Sequence, residues 1–201
     1  MAETLTRRSP LQGWATQFAA TPSAATPSAA RLTEEPFETM VDLWVDPTGA
    51  GGTEAAQVLG VAALPTTPET CVTGPDSTVI WFGPQEWLVT STQRGGEALE
   101  AQLHEAVAAA GGAAVDVSAQ RTTVRLRGAH ARDVLAKGCS LDLHPRGFGR
   151  GAAAQTMLAL AAVVLIPLND SGTDYRVIVR SSFAGYLADW LLDAAEEFGS
   201  A

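Results

Sequence analysis

Residues 175–198 read Tyr175-Arg-Val-Ile-Val-Arg180-Ser-Ser-Phe-Ala-Gly185-Tyr-Leu-Ala-Asp-Trp190-Leu-Leu-Asp-Ala-Ala195-Glu-Glu-Phe198. Tyr175 to Arg180 is rich in β-branched residues and reads as a strand. Beyond it the spacing changes. Phe183, Tyr186, Leu187, Trp190, Leu191, Ala194 and Phe198 recur at i, i+3, i+4 and i+7, with Asp189, Asp193, Glu196 and Glu197 on the opposite side. Ser182 is placed to cap such a helix. A helix with one apolar stripe packs on a sheet from one side, so this run predicts a strand followed by a covering helix.

Working back along the chain, the strand has a partner in Thr156–Ile166, across a turn at Asn169-Asp170-Ser171-Gly172. Val163-Val164-Leu165-Ile166 suits either a strand or a helix, and β-branching with Pro167 favours the strand. The same strand–strand–helix unit recurs twice upstream. One copy is Val79–Phe82, a turn at Gly83-Pro84, Glu86–Ser91 and a helix from Glu97 to Ala110. The other is Ala113–Ser118, Arg121–Arg127 and a helix from Ala129 to Lys137. Before them come a strand at Glu38–Val45, a short helix Glu54–Leu59 capped by Thr53 and ended by Gly60, and a proline-rich loop over 61–78. Hairpins interleaved with helices predict an α+β fold, a largely antiparallel sheet with helices packed on it.

The length of 201 residues suits a single domain with an arm. Of the 93 hydrophobic residues 36 are alanine, which leaves 57 larger side chains, enough for one core. Residues 21–30, TPSAATPSAA, repeat a five-residue unit of small and proline residues and read as a linker. The division is therefore 1–30, arm and linker, and 31–201, a single α+β domain. Leu11, Trp14 and Phe18 leave two readings of the arm: a frayed terminus, or a segment whose aromatics dock on this domain or a partner. Arg7-Arg8-Ser9-Pro10-Leu11 superficially matches a twin-arginine signal, but Gln12, Gly13, Thr16 and Gln17 interrupt the apolar stretch it needs. The longest apolar run, Met157–Ile166, is ten residues, too short to span a bilayer. Cys71 and Cys139 supply no disulfide framework, and a reducing compartment fits. Thirteen basic against 22 acidic residues give a net charge of −9, which argues against broad nucleic-acid binding.

No catalytic constellation emerges. His104 sits mid-helix among alanines, His130 opens a helix, and the Asp142–His144 pair lacks further metal ligands at a recognised spacing. Gly147–Ala152 mimics a dinucleotide fingerprint, but Pro145 precedes it and a strand follows where a helix is required. Cys139 has no patterned histidine partner, which makes it a structural thiol. The outstanding local feature is basic. Residues 121–150 hold seven basic groups against two acids, and Arg121, Arg125 and Arg127 share one strand face by period-two alternation. That face reads as a wet sheet surface, as a docking face for an acidic partner, or as a site for a small polyanion such as a folate tail or phosphate.

Several blocks in order resemble the gamma subunit family of bacterial heterotetrameric sarcosine oxidase. They are Arg7-Arg8-Ser9-Pro10-Leu11, Gly83-Pro84-Gln85-Glu86-Trp87-Leu88, Asp116-Val117-Ser118 with Arg121-Thr122, Lys137-Gly138-Cys139-Ser140-Leu141-Asp142-Leu143-His144-Pro145, and Arg180-Ser181-Ser182-Phe183-Ala184-Gly185-Tyr186-Leu187. The TPSAATPSAA stretch is not part of that pattern. The resemblance implies a fold like the folate-binding domain of aminomethyltransferase. It also implies a cytoplasmic complex with alpha, beta and delta subunits, alpha being the expected contact. That complex oxidises sarcosine with tetrahydrofolate and O2 to glycine, 5,10-methylenetetrahydrofolate and hydrogen peroxide. Its FAD, FMN, NAD and zinc are expected on the other subunits, with no cofactor, metal or catalytic residue in this chain. The expected role is structural and assembly, with Arg7, Arg8, Trp14, Arg121, Arg125 and Arg127 as candidate partner contacts. The alternative is a folate- or polyanion-binding module that itself handles the one-carbon unit.

Overall fold

The computed structural model describes residues 6–23 and 30–198. Most of the expected linker, residues 24–29, lies outside them. Ten strands pair antiparallel throughout and divide between two five-stranded sheets. The strands are β1 Arg31–Glu35, β2 Thr39–Trp44, β3 Cys71–Thr73, β4 Thr78–Gly83, β5 Glu86–Ser91, β6 Ala113–Asp116, β7 Arg121–Arg127, β8 Ala154–Leu158, β9 Ala161–Pro167 and β10 Asp174–Arg180. The helices are α1 Ala15–Ala20, α2 Ala50–Leu59, α3 Gly96–Ala108, α4 Ala131–Ala136 and α5 Ser181–Ala195. The α+β reading holds, with its strands divided between two sheets. No helix among the described residues is long and apolar enough to cross a membrane.

The first sheet runs β3-β4-β5-β2-β6 and the second β8-β9-β10-β7-β1. The two orders correspond position by position, so each sheet repeats one plan. A central strand leads to a helix, a three-strand meander, a second helix and an outer strand. In the first sheet β2, α2, β4, β5, α3 and β6 form a split βαβ arrangement. In the second the outer strand is β1, taken from the start of the chain. This explains why the strand–strand–helix unit is legible as a repeat.

Alternation along the strands gives each sheet two apolar faces. Val41, Leu43, Val79, Trp87 and Val89 of the first sheet pack under Leu99, Leu103 and Val107 of α3 and Ala55 and Leu59 of α2. Val124, Leu126, Tyr175, Val177 and Val179 of the second pack under Leu187, Ala188 and Leu191 of α5 and Val134 and Leu135 of α4. The remaining faces meet each other through Met40, Ile80, Leu88, Val164, Ile166 and Ile178. Four layers result, helices–sheet–sheet–helices, and a seam runs between the sheets.

The structure differs from the sequence reading at definite points. α5 turns Ala184, Leu187, Ala188, Leu191, Ala194 and Ala195 to the sheet, leaving Phe183 and Tyr186 exposed. The small residues let the helix sit close, and the aromatics are displaced to its flank. The N-cap position belongs to Arg180, and Ser181, not Ser182, turns its hydroxyl to the Ala119 carbonyl at 3.0 Å. α2 begins three residues before Thr53, and Gly51 and Gly52 are buried in its first turn. A Cβ on Gly51 would lie 2.7 Å from that of Ala110, so glycine permits the approach of α2 to α3. The single strand expected over 156–166 is a hairpin, turning at Ala159-Leu160 with Ala159 at φ +51°.

Candidate functional site

Only one face of each sheet is available for function at the seam, and its chemistry follows from the strand register. Arg121 stands opposite Arg180, Arg125 opposite Arg176, and Arg127 opposite Asp174 on neighbouring β7 and β10. Thr123 and Ile178, between these rows, are buried against the other sheet. The arginine-bearing strand face is therefore the inner face of the second sheet. It is neither a wet outer surface nor a free docking plane.

The carboxylates that balance it come from three segments. The Arg125 guanidinium donates to both oxygens of Asp174 at 2.9 and 2.8 Å and lies 3.4 Å from Glu35. Hydrogen bonding to Asp174 raises the Arg125 pKa further. Arg176 donates to Glu35 at 2.6 Å, and buried Glu38 accepts from the Thr123 hydroxyl at 2.9 Å. Arg127 approaches Asp174 at 3.5 Å with a half-exposed side chain. The seam at this end is an ion-pair network, and Glu38 and Arg176 also line a cavity of about 300 Å3 between the sheets with Cys71, Thr78 and Thr90.

At the other end the sheets part. A cleft of about 390 Å3 opens between them, lined by Phe82, Arg121, Gln155, Met157, Ile178 and Arg180 among others. Asp42 and Glu86, on the inner face of the first sheet, act on Arg121 through their charges. Among the described residues neither Asp42 Oδ1 nor Arg121 Nη1 has a hydrogen-bond partner, although both atoms are buried. Burial raises the Asp42 pKa despite the nearby charges of Arg121 and Arg180. Burial, then the Asp42 charge, raises that of Glu86, and burial lowers that of Arg121. Arg121 also stands 5.5 Å over the Phe82 ring. Asp42, Glu86 and Phe82 escaped the sequence reading because each meets Arg121 only through sheet–sheet packing.

The other candidate contacts lie on the arm. Exposed Arg7 sits 4.4 Å over the exposed ring of Phe37, and Arg8 is exposed without a described contact. Trp14 is on the opposite face of the second sheet, its indole N–H donating to Asp189 of α5 at 2.6 Å. Leu11 and Phe18 are buried in the core under α5, so the arm docks on this chain. The structure thus separates the six candidates into the seam, the Phe37 turn and the α5 flank.

The remaining chemistry-bearing groups serve local structure. His130 Nδ1 pairs with Asp133 at 2.8 Å, and its ring stacks on Phe198 at 4.4 Å. Asp142 accepts from the backbone N–H of His144, and His144 Nδ1 accepts from that of Arg146, which closes a turn. The loop through Gly147 and Gly151 runs into β8, a strand. Burial pushes the Cys71 thiol up to about 11, and its Sγ lies 3.6 Å from the Ala152 carbonyl oxygen. No group of three or more metal-ligating side chains occurs among the described residues.

A model of the sarcosine oxidase, gamma subunit family matches residues 45–197. The chain is 34% identical over 198 residues to sarcosine oxidase subunit gamma of Corynebacterium sp. (strain U-96), covering 98% of this chain and 94% of that protein. It is likewise 34% identical to the gamma subunit from Arthrobacter sp, again covering 98% and 94%. Among solved structures, a chain of heterotetrameric sarcosine oxidase from Corynebacterium sp. U-96, in complex with pyrrole 2-carboxylate, superposes with a TM-score of 0.87 at 34% identity, covering 97% of each chain. The glycine cleavage aminomethyltransferase T of Bartonella henselae shares the fold, with a TM-score of 0.62 at 12% identity over 89% of this chain and 48% of that one.

Proposed function

This chain belongs to the sarcosine oxidase gamma subunit family, and we propose that it is the structural, non-catalytic subunit of a heterotetrameric sarcosine oxidase in the cytoplasm. The complex would oxidise sarcosine with tetrahydrofolate and O2 to glycine, 5,10-methylenetetrahydrofolate and hydrogen peroxide. FAD, FMN, NAD and zinc would reside on the alpha, beta and delta chains. The observation that carries this reading is the likeness to a chain of a solved heterotetramer over 97% of both chains. The local geometry supports it. Arg125, His130 and His144 each bond to neighbours in this chain and do not converge on one cavity.

The fold shared with aminomethyltransferase does not by itself carry folate chemistry, because architecture and site are separable. A polyanion site built on Arg125 would compete with the bidentate Asp174 contact. The test is co-expression of all four chains, with and without this one, followed by sarcosine turnover with and without tetrahydrofolate. The reading expects the complex to lose yield or integrity when the chain is omitted, and the purified chain to turn over nothing. Saturable micromolar heat on titrating the isolated chain with tetrahydrofolate would establish the ligand-handling alternative instead.

A further inference from the structure

We propose that the cavity beside Glu38, between the two sheets, is a binding site for a small zwitterionic amino acid. In this assignment the ligand's ammonium group meets Glu38 and the hydroxyls of Thr78 and Thr90, and its carboxylate meets Arg150. The site goes beyond the assembly role above and rests on this chain's own residues.

The strand register builds one wall. Thr73 stands opposite Thr78, and Thr78 opposite Thr90, so β3, β4 and β5 carry a row of hydroxyls on the inner face of the first sheet. The next row on that face is Cys71, Ile80 and Leu88, and Ile80 and Leu88 are buried in the packing between the sheets. A face that served packing alone would continue that apolar pattern. Thr90 is 4% exposed and lines the cavity, and its hydroxyl makes no hydrogen bond among the described residues. The Thr78 hydroxyl has only that of Thr73, at 3.5 Å. Buried hydroxyls normally find partners, so the row is poised for a ligand.

The charges come from two other segments. In the turn before β2, Phe37 takes the left-handed conformation at φ +61°, and Glu38 after it is turned inward, its side chain 3% exposed. One Glu38 oxygen accepts from Thr123 at 2.9 Å. The other has Arg176 at 3.9 Å, beyond hydrogen-bond reach, and Arg176 is itself committed to Glu35 at 2.6 Å. Glu38 therefore keeps acceptor capacity toward the cavity. Arg150, exposed in the loop before β8, lines the same cavity and makes no ion pair among the described residues. Ile166, Leu168 and Ile178 supply an apolar lining from the second-sheet side.

Together these groups select the ligand. A simple cation drawn to Glu38 would also meet Arg176 and Arg150, and a simple anion drawn to Arg150 would meet Glu38. A molecule with an ammonium at one end and a carboxylate at the other answers both charges, and its carbon body lies on the apolar lining. A volume of about 300 Å3 is at the lower limit of ligand pockets, which suits an amino acid and not a molecule of folate size.

The experiment uses the full chain. Calorimetric titration with sarcosine, glycine and leucine is expected to show saturable binding of at least one of them, at least tenfold tighter than acetate or methylammonium. The amide resonances of Thr78, Thr90 and Gly151 should move with the same saturation. Arg150→Ala changes an exposed side chain, and Glu38→Gln keeps an oxygen for Thr123. Each is expected to weaken binding at least tenfold while melting within a few degrees of wild type. No binding by any of the three amino acids would leave the cavity to water alone and overturn the proposal. Equal binding of acetate or methylammonium, unmoved resonances, or unchanged affinity in either folded variant would overturn it as well. Displacement of the amino acid by tetrahydrofolate would assign the cavity to the ligand-handling alternative, again overturning it. Amino acid binding by a chain that never joins the complex would uphold this site and remove the assembly role, so the two readings fail separately.

Discussion

Gly185 of α5 is the seat of Trp14: a Cβ placed on Gly185 would lie 2.8 Å from the indole Cη2, and 3.2 and 3.7 Å from two further ring carbons. The indole N–H then reaches Asp189 one turn further along the helix. A glycine inside a helix costs about 1 kcal/mol relative to alanine. Here that cost is offset by the approach of a large, rigid ring.

Gly185→Ala therefore sets helix propensity against a clash. The ring is flat and held by its hydrogen bond, so we expect the clash to prevail and stability to fall by about 1–2 kcal/mol. In a Trp14→Ala background the same substitution is expected to stabilise by roughly 0.5–1 kcal/mol. Urea unfolding of the four combinations reads the sign reversal. Gly185→Ala stabilising in both backgrounds would show that Trp14 does not occupy the notch.

Two arginines of β7, Arg125 and Arg127, should respond differently to substitution. Arg125 is largely covered and bonded to Asp174 through two nitrogens, whereas the Arg127 side chain is 48% exposed. Arg125→Ala is expected to lower stability by about 2 kcal/mol, because it leaves Asp174 without its bidentate partner. Arg127→Ala should stay within about 0.5 kcal/mol of wild type. Denaturant midpoints test the ranking, and equal losses would refute it. A charge reversal at Arg125 therefore probes folding first and docking only second.

How much of this was legible in the sequence depends on how local each signal is. β5, β7, β10 and α5 carry their own periodicity, and the duplicated plan follows from it. β1 was missed because it follows a proline–alanine linker and pairs with a strand some ninety residues on, Arg31 with Arg127. β3 is three residues among prolines, and the β8–β9 turn has alanine and leucine where glycine or asparagine is usual. The shared face of Arg121, Arg125 and Arg127 was legible, but its destination was not. Alternation says which residues point together, and only the second sheet says what they point toward.

Cys71 offers a thiol whose burial can be read chemically. With its pKa pushed from 9.0 up to about 11, the thiolate fraction at pH 8 is about a hundredfold lower than for the unfolded chain. Alkylation of native Cys71 by iodoacetamide, followed by peptide mass spectrometry, is expected to be slower by at least that factor. A native rate equal to that in urea would show the thiol to be open to solvent.

Asp42 gives the pH dependence of the isolated chain. Its folded pKa is raised, first by burial, so the folded state holds the proton more tightly than the unfolded state. The linked penalty is absent below the ordinary carboxylate range. It grows as pH rises from there and is complete above the raised value. Asp42→Asn removes it and also relieves Glu86, whose pKa Asp42 helps to raise. The variant is expected to melt above wild type at pH 7, with the gain fading on acidification. A gain independent of pH, or a loss at pH 7, would show that attraction to Arg121 outweighs desolvation.

Removal of the arm tests whether residues 6–20 are part of the core. Leu11 is 1% exposed and Phe18 4%, both within the cluster that joins β1, β7 and β10 to α5. Polar contacts fix the same segment: Ser9 donates to Glu34 at 2.7 Å, and the Arg31 guanidinium donates to the Ala19 carbonyl at 3.2 Å. Burying one leucine and one phenylalanine is worth about 4 kcal/mol together, a large share of the 5–15 kcal/mol that holds a typical domain. A chain lacking residues 1–20 is therefore expected to melt roughly 10 °C lower. Leu11→Ala alone should cost about 3 kcal/mol by leaving a cavity in an otherwise unaltered chain. Calorimetry separates the outcomes. If both variants melted with the full chain, the arm would be an appendage, and Leu11 and Phe18 would have to be buried by a partner instead.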